Sequence, residues 1–426
     1  MTTIEQLYSI YKEYPSVQTD TRKLQPGDIF FALKGPSFDG NQFAQHALDA
    51  GAAYAVVNDS TYVTGNRTLL VDDALIALQR LAKFHRKQFT IPFIAITGSN
   101  GKTTTKELIY TVLAKRYTTY TTQGNLNNHI GVPLTILSVR PDAEIAVIEM
   151  GANHQKEIEG YCDYTMPTHG LITNCGKAHL EGFGGVEGVR KGKGELFDYL
   201  RAHDGTALIM NDYDYLTEMS KGIHVVFKYG TSKGDIVGTS IRSEPFLEVA
   251  VKGNEVLSLV ETKLVGDYNL PNVLAAIAVG KFFNVDDADI KNAIEAYNPS
   301  NSRSQLIRID DNEIILDAYN ANPSSMKAAI ENFAKLAATD KVLMLGAMAE
   351  LGIESIEEHK GIVNLIGKYQ WKDVVLVGGD FEKLTHPYHY FKNSIAAKEW
   401  LAAQDFHHTT LLVKGSRSVG MEKVLS

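Results

Sequence analysis

Gly98, Gly101, Lys102 and Thr103 lie in the stretch FIAITGSNGKTTTKE, residues 93–107. An apolar run turns through glycine and asparagine and presents Lys-Thr-Thr at the start of a helix-like segment. Such an arrangement holds nucleotide phosphates. Backbone N–H groups at a helix start converge on an anion, and glycine permits the backbone angles and close approach required. Ser99, Asn100 and Thr104 belong to the same cradle. Lys102 can reach the β- and γ-phosphates, and Thr103 stands where a hydroxyl ligand of Mg²⁺ is expected. The common spacing, G-x-x-x-x-G-K-[ST], would put a glycine where this chain has Ile96; the first glycine comes at Gly98. The alternative is a Gly-Asn turn with a solvated lysine. Strand, turn, Lys-Thr and helix coincide here, which favours the phosphate loop.

A Mg-nucleotide site wants a carboxylate at the end of a neighbouring strand. IAVIEMG supplies Glu149, and an acid ending an apolar strand is costly unless paired. His179 follows LITN in CGKAHLEGF. A lone histidine is more often structural; beside Glu149 and a phosphate loop it becomes a candidate for a metal or acyl-group role. Lys193 lies in VRKGKGELF, where three cations together read, taken alone, as a solvated helix face.

These residues need elements to hold them. The 426 residues suit two to four domains. With 44% hydrophobic residues there is material for packed cores, and a net charge of -8 without a long basic run argues against a nucleic-acid partner. Cys162 and Cys175 fit neither a disulfide framework nor a zinc knuckle, so reduced thiols are expected. There is no secretion-type start and no apolar run long enough to span a bilayer. A soluble, cytoplasmic protein is expected.

GDIFFAL, AYAVV and TLLV read as strands, NQFAQHALDAG as a helix closed by Gly51, and DDALIALQRLAKFHRKQ as a helix with Leu75, Leu78, Leu81 and Ala82 on one face. This small mixed α/β unit ends near Phe84. IPFIAIT, EIAVIEMG and HGLITN are continuous apolar runs, as buried parallel strands are. With helices between them they imply a doubly wound sheet. After Ala207 the pattern changes to short strands, GIHVVFKYG and FLEVAVKG, then a helix over residues 270–283. YNPSNSRS, residues 297–304, reads as a linker. NEIILDAYN, SSMKAAIENFAKLAA, KVLMLGAM, HKGIVNLIGKY, DVVLVGG and TTLLVKGS then repeat the α/β alternation. The expected fold is α/β in three domains, 1–84, 85–299 and 300–426: a small mixed unit, a doubly wound parallel-sheet domain, and a Rossmann-like α/β domain.

TGSNGKTT resembles the nucleotide loop of the Mur ligase superfamily, T-G-[ST]-x-G-K-[ST]-[ST], and further blocks along essentially the whole chain are similar to it. TDTRKLQPGDIFFALKG resembles the segment that binds the uridine nucleotide, which implies substrate contacts from Thr19, Asp20, Thr21 and Arg22; Thr21 and Asn41 depart from the family's usual Ser and His. GNLNNHIGVPLTIL resembles a substrate loop and implies Asn125, Asn127 and Asn128. KAHLEGFGG is similar to the metal segment. GDYNLPNVLAA resembles the adenine-contacting block, with Asn272 at the matching position. DAYNANPSSM and KGSR match the last domain.

The resemblance implies an ATP-dependent amide ligase working through an acyl phosphate. Lys102, Lys193 and His179 would be its catalytic residues. Thr103, Glu149, His179 and Lys193 would hold two Mg²⁺ ions, with Lys193 carbamylated to N6-carboxylysine. Asn272, Arg303 and Asp317 would contact ATP, and Asn320 and Asn322 would line the same cleft. DAYNANP is the form carried by the branch that adds a dipeptide. The implied partners are UDP-MurNAc-tripeptide and D-Ala-D-Ala, in peptidoglycan precursor synthesis, with the chain a monomer. Two rivals stand beside this: a related ligase adding one amino acid, and a nucleotide-switched binding module that hydrolyses ATP without ligation and has no need of Glu149, His179 and Lys193 together.

Overall fold

The computed structural model describes residues 1–300 and 302–426. The described residues form four sheets, three of them large enough to organise a layer. The first has four parallel strands in the order Val17–Gln18, Ile29–Phe31, Tyr54–Val57 and Thr68–Leu70. Alternation along these strands decides the faces. Phe30, Ala55 and Val57 meet Ala44, Ala47 and Leu48 on one side, while Ile29, Phe31 and Val56 join the core that contains Leu7, Leu78 and Leu81 on the other.

The helix Ala74–Arg86 starts at Asp73, whose Oδ1 accepts from the Ile76 N–H at 2.8 Å. Leu78, Leu81 and Ala82 are fully buried on it, each leucine contributing on the order of 2 kcal/mol. It packs on the helices Gly131–Ser138 and Glu157–Thr165 of the next layer. The expected boundary at Phe84 therefore falls inside this helix. The helix continues because His85 and Arg86 are themselves buried. His85 Nε2 pairs with the Val139 carbonyl at 2.8 Å, and Arg86 donates to the Thr165 and Met166 carbonyls at 2.8 and 2.9 Å. Those carbonyls end the Glu157–Thr165 helix, where a cation is favoured.

The central sheet runs Val260–Glu261, Glu248–Val251, Ile236–Arg242, Val225–Gly230, Thr206–Met210, His169–Ile172, Phe93–Thr97, Ile145–Glu149, Thr119–Thr121. Strands from Ile236–Arg242 to Thr119–Thr121 pair in parallel; the other two add antiparallel. The change of pattern expected after Ala207 thus begins later. Thr206–Met210 and Val225–Gly230 still belong to the parallel sheet, but the latter is half-exposed at its start and lacks the continuous apolar run. Chain order reverses at Phe93–Thr97, whose neighbours are Ile145–Glu149 on one side and His169–Ile172 on the other. Open α/β sheets bind ligands outside the strand ends at such a point.

Residues 297–300 and 302–304 form no helix or strand; Asn301, inside the expected linker, lies outside the described residues. The last sheet has the order Gln305–Ile309, Asn312–Asp317, Thr410–Lys414, Lys341–Gly346, Asp373–Val377, His389–Phe391, antiparallel at its first pair and parallel thereafter. Among the described residues, no helix is long and apolar enough to cross a membrane.

Candidate active site

The turn after Phe93–Thr97 places the phosphate loop at the switch point, and the helix Lys102–Leu113 starts directly from it. Gly101 caps that helix at φ +80, and a Cβ there would stand 2.4 Å from Asn272 Oδ1. Gly98 has φ +145, and a Cβ would meet Thr173 Oγ1 at 2.0 Å. Both glycines are required by conformation and by space. Ser99 Oγ donates to the Gly176 carbonyl at 2.8 Å, and the Asn100 carbonyl accepts from Thr173 and Asn174 at 2.6 and 3.0 Å. The loop is held from the end of the neighbouring strand. Lys102 Nζ bends back to the Gly98 carbonyl at 2.7 Å. Burial pushes its ammonium below the ordinary lysine range, against the pull of Glu149.

Glu149 ends its strand beside the loop, in register with Ile96. Its Oε1 accepts from Asn127 Nδ2 at 2.7 Å and Thr103 Oγ1 at 3.2 Å. Its Oε2 is buried with no hydrogen-bond partner. A carboxylate with one oxygen saturated and the other open, next to a threonine hydroxyl, suits a hard cation that takes oxygen ligands. Asn128 does a different job: its Oδ1 accepts from the Ile130 and Gly131 N–H groups at the start of the next helix.

A cleft of about 1000 Å³ opens over the loop. Ser99 to Thr104, Asn127, Asn128, Glu149 and His179 line it from the central domain, with Asn272 at its edge; Arg303, Asp317, Asn320 and Asn322 line it from the far side. The two walls touch. Asn322 caps the helix Pro323–Lys335 with its Oδ1 and donates from Nδ2 to Asn100 Oδ1 at 2.7 Å. Asp317 and Lys414 are register partners on adjacent parallel strands, so their side chains share a face, and Lys414 Nζ pairs with Asp317 Oδ2 at 2.6 Å. Arg303 stacks on Tyr319 at 3.6 Å from the ring centre.

The expected metal set is only partly drawn together. Thr103 and Glu149 meet, but His179 and Lys193 bond to neither. Among the described residues no three His, Cys, Asp or Glu side chains are grouped to hold a metal. Lys193 does not lie on a solvated face. It is buried, donates to the Ala152 carbonyl at 3.0 Å, and its Nζ stands 5.0 Å from the centre of the Phe183 ring. Burial, reinforced by nearby Lys102, pulls its pKa down to about 7. His179 Nδ1 stands 2.5 Å from Glu350 Oε2, without an aligned hydrogen bond between them.

Thr19, Asp20, Thr21, Arg22 and Asn125 are not among the lining residues. Asp20 caps the short helical turn Thr21–Lys23 and holds Arg22 through two hydrogen bonds of 2.8 and 2.7 Å. Asn41 is buried on Asp39 and Asn58. Conversely, Asn269, Tyr319, Ser324 and Lys414 line the cleft without having been singled out from the sequence. Lys414 carried a usable signal, since it ends the apolar strand TLLVK as Glu149 ends IAVIE.

A glycine-lined loop at the switch point of a parallel sheet, faced across a cleft by a second α/β layer, defines an enzyme of the interdomain-cleft type. Three family models match the chain: the Mur ligase family catalytic domain over residues 13–86, the Mur ligase middle domain over 96–280, and the Mur ligase glutamate ligase domain over 302–417. The chain is 38% identical over 349 residues to the UDP-N-acetylmuramoyl-tripeptide--D-alanyl-D-alanine ligase of Bacillus subtilis, covering 81% of this chain and 76% of that protein. It is similar to the crystal structure of MurF from Acinetobacter baumannii, with TM-score 0.85 and 31% identity over 96% of this chain and 92% of the other. The MurF ligase of Thermotoga maritima in complex with ADP gives TM-score 0.84 and 27% identity, covering 96% of each chain. The protein belongs to the Mur ligase family.

Proposed function

We propose that the protein is an ATP-dependent ligase that joins D-alanyl-D-alanine to the terminal carboxylate of a UDP-N-acetylmuramoyl-tripeptide. The observation that carries this reading is the direct bond from Asn322, in DAYNANP, to Asn100 in the phosphate loop, at 2.7 Å. The block that marks the dipeptide-adding branch stands on the nucleotide loop itself.

In this reading the helix start at Lys102, the loop amides and Lys102 bind the triphosphate, and Asn272, Arg303 and Asp317 contact the nucleotide. The Asn269 side chain supports Asn272 at 2.9 Å, and Thr105 holds it from the other side at 3.0 Å. A carboxylate is a poor electrophile; transfer of the γ-phosphoryl group to it gives an acyl phosphate and ADP. The dipeptide amine then attacks the acyl carbon, loses its proton, and phosphate leaves. Charge builds on the transferring group, so cations fixed beforehand lower the barrier. Lys102 supplies one such charge. Thr103, Glu149, His179 and Lys193 as its carbamate would hold Mg²⁺ ions, which screen the phosphate oxygens. The open Oε2 of Glu149 supports this assignment.

We assign the uridine nucleotide to the first unit, carried to its helix end at Arg86, with Thr19 to Arg22 as its contacts. Asn125, Asn127 and Asn128 would meet the substrate between that unit and the loop. The central unit, up to residue 299, then carries ATP, and residues 300–426 complete its site. Two buried, unpaired cysteines suit a cytoplasmic protein.

Purified protein is expected to release ADP and phosphate only when ATP, Mg²⁺, UDP-MurNAc-tripeptide and D-Ala-D-Ala are all present. Steady release without the dipeptide would favour a nucleotide-hydrolysing module instead, and turnover with single amino acids would favour a different ligase. Lys102→Ala is expected to cost about 3 kcal/mol of transition-state stabilisation, roughly 10²-fold in rate.

A further inference from the structure

Glu350 belongs to the last domain, yet its carboxylate ends at a residue of the central one. It follows the strand Lys341–Gly346, on a turn fixed from below by buried groups. The Ala347 carbonyl accepts from Ser416 Oγ at 2.6 Å. The Met348 N–H donates to Nε2 of the fully buried His359 at 3.0 Å, while His359 Nδ1 bonds the Ser355 carbonyl at 2.7 Å. His359 is thereby fixed as the neutral Nδ1–H form and acts as a strut under the turn.

Glu350 itself has φ +59, in the left-handed region that a residue with a side chain rarely adopts. Such conformations persist only where the surroundings over-determine them. The surroundings here include the facing domain. The Glu350 carbonyl accepts from the Glu181 N–H at 3.4 Å, two residues beyond His179. Gly352, at φ +56, sits so close to Glu181 that a Cβ would be 3.1 Å from its side chain. The turn is thus fitted onto the short helix Leu180–Phe183 that His179 starts.

Independent ties close the same seam. Lys177 pairs with Glu358, and the Lys177 N–H donates to Ser324 Oγ at 2.9 Å. His179 also has φ +52, so ring and carboxylate are both presented from constrained backbone.

We infer that Glu350 is a positioning residue for His179: it takes the Nδ1 side of the ring, leaving Nε2 as the nitrogen available to a cation, and it does so only when the two domains are together. This rests on the proposed reading of His179 as a metal-holding residue. Metal-ligating histidines commonly donate their second ring N–H to a carboxylate, which fixes the tautomer. Here the carboxylate comes from another domain, so a competent ligand would exist only in the closed molecule. The 2.5 Å contact lacks alignment rather than closeness, and poorly aligned hydrogen bonds of a free site align when ligands bind.

The test uses the full chain, Mn²⁺ as a paramagnetic probe, a non-hydrolysable ATP analogue and the sugar-peptide. Glu350→Ala and Glu350→Gly are expected to weaken Mn²⁺ binding about 10-fold or more. They should also abolish the Nδ1–H bias of His179 in nitrogen NMR of labelled imidazoles. Glu350→Gln retains an acceptor and is expected to recover part of both. The glycine variant relieves the left-handed backbone, so its loss cannot come from strain. Wild-type Mn²⁺ affinity and an unchanged tautomer in the alanine and glycine variants would overturn the inference. If His179→Ala leaves Mn²⁺ binding unchanged, or the wild type fails to ligate, the fault lies in the reading beneath it.

Discussion

Lys193 shows how far surroundings set what one residue can do. As a solvated cation it would be an ordinary ammonium. Buried against Ala152 and Phe183, its pKa is pulled down to about 7, which favours the free amine far more than at a solvated lysine. A free amine is the form that adds carbon dioxide to give a carbamate, and a carbamate offers oxygens to a cation in place of a repelling charge. Lys193→Ala is therefore expected to lose nearly all ligation, and millimolar formate or acetate to restore part of it by occupying the vacated space. An alanine variant with full activity in a ligation assay would remove the carbamate from the account. At this scale the sequence was most informative where a charged residue ends an apolar strand, as at Glu149 and Asp317. It was silent where the partner comes from a distant segment: nothing in KAHLEGF announces Glu350, and nothing in DAYNANP announces Lys414, because those pairings are made by the arrangement of sheets. The face assigned to Lys193 by local charge alone was wrong for the same reason. Neighbouring Lys191 is exposed and Arg190 only half-buried, over the Tyr215 ring, while Lys193 turns into the core.

Among the elements, the loop between the Phe93–Thr97 strand and the Lys102–Leu113 helix carries the tightest backbone demand. Gly101 combines positive φ with an Asn272 oxygen 2.4 Å from where a Cβ would lie. Asn272 cannot retreat freely, being bonded to Asn269 and Thr105. Gly101→Ala is expected to cost more than about 1 kcal/mol of stability, a fall of a few degrees in Tm, and to cut ATP-dependent turnover by at least about tenfold through the displaced amides and Asn272. Gly65, with open space around it, is the control: Gly65→Ala should leave both calorimetry and turnover unchanged. Equal behaviour of the two variants would mean the loop tolerates a side chain and does not cradle an anion. The strands that build this site were legible because both their faces are buried, which writes them as unbroken apolar runs. The strands Gln305–Ile309 and His389–Phe391 and the helix Ser394–Ala403 were not. The first is a half-exposed edge hairpin, the second has three residues, and the helix buries little beyond Ser394 and Ala397.

For the whole molecule, the two seams between layers carry different polar ties. The first unit is fastened to the centre by the buried side chains of His85 and Arg86 and by an apolar helix face. The second seam, between the centre and the last domain, adds several polar ties to an apolar core that continues across it: Asn100 with Asn322, Lys177 with Ser324 and Glu358, His179 with Glu350, Asp267 with Asn332. Relative motion is the default expectation for domains within one chain, and residues 297–300 and 302–304, where the chain passes from the centre to the last domain, form no helix or strand. Nucleotide candidates stand on both sides, with Lys102 on one wall and Asp317 on the other, so neither wall alone surrounds ATP. Closure around the bound substrates would exclude water and protect an acyl phosphate from hydrolysis. Small-angle scattering is therefore expected to show a larger radius of gyration for the free protein, falling to the value of this structure when an ATP analogue and the sugar-peptide are both added. A chain ending at Ser300 should still fold, since all nine central strands lie before that point, yet it should neither ligate nor bind ATP with full affinity. Asp317→Ala should weaken ATP use far more than it lowers Tm. An unchanged radius of gyration, together with ordinary ATP affinity in the shortened chain, would show that the last domain has no part in holding the nucleotide and that the contacts across the seam serve packing alone.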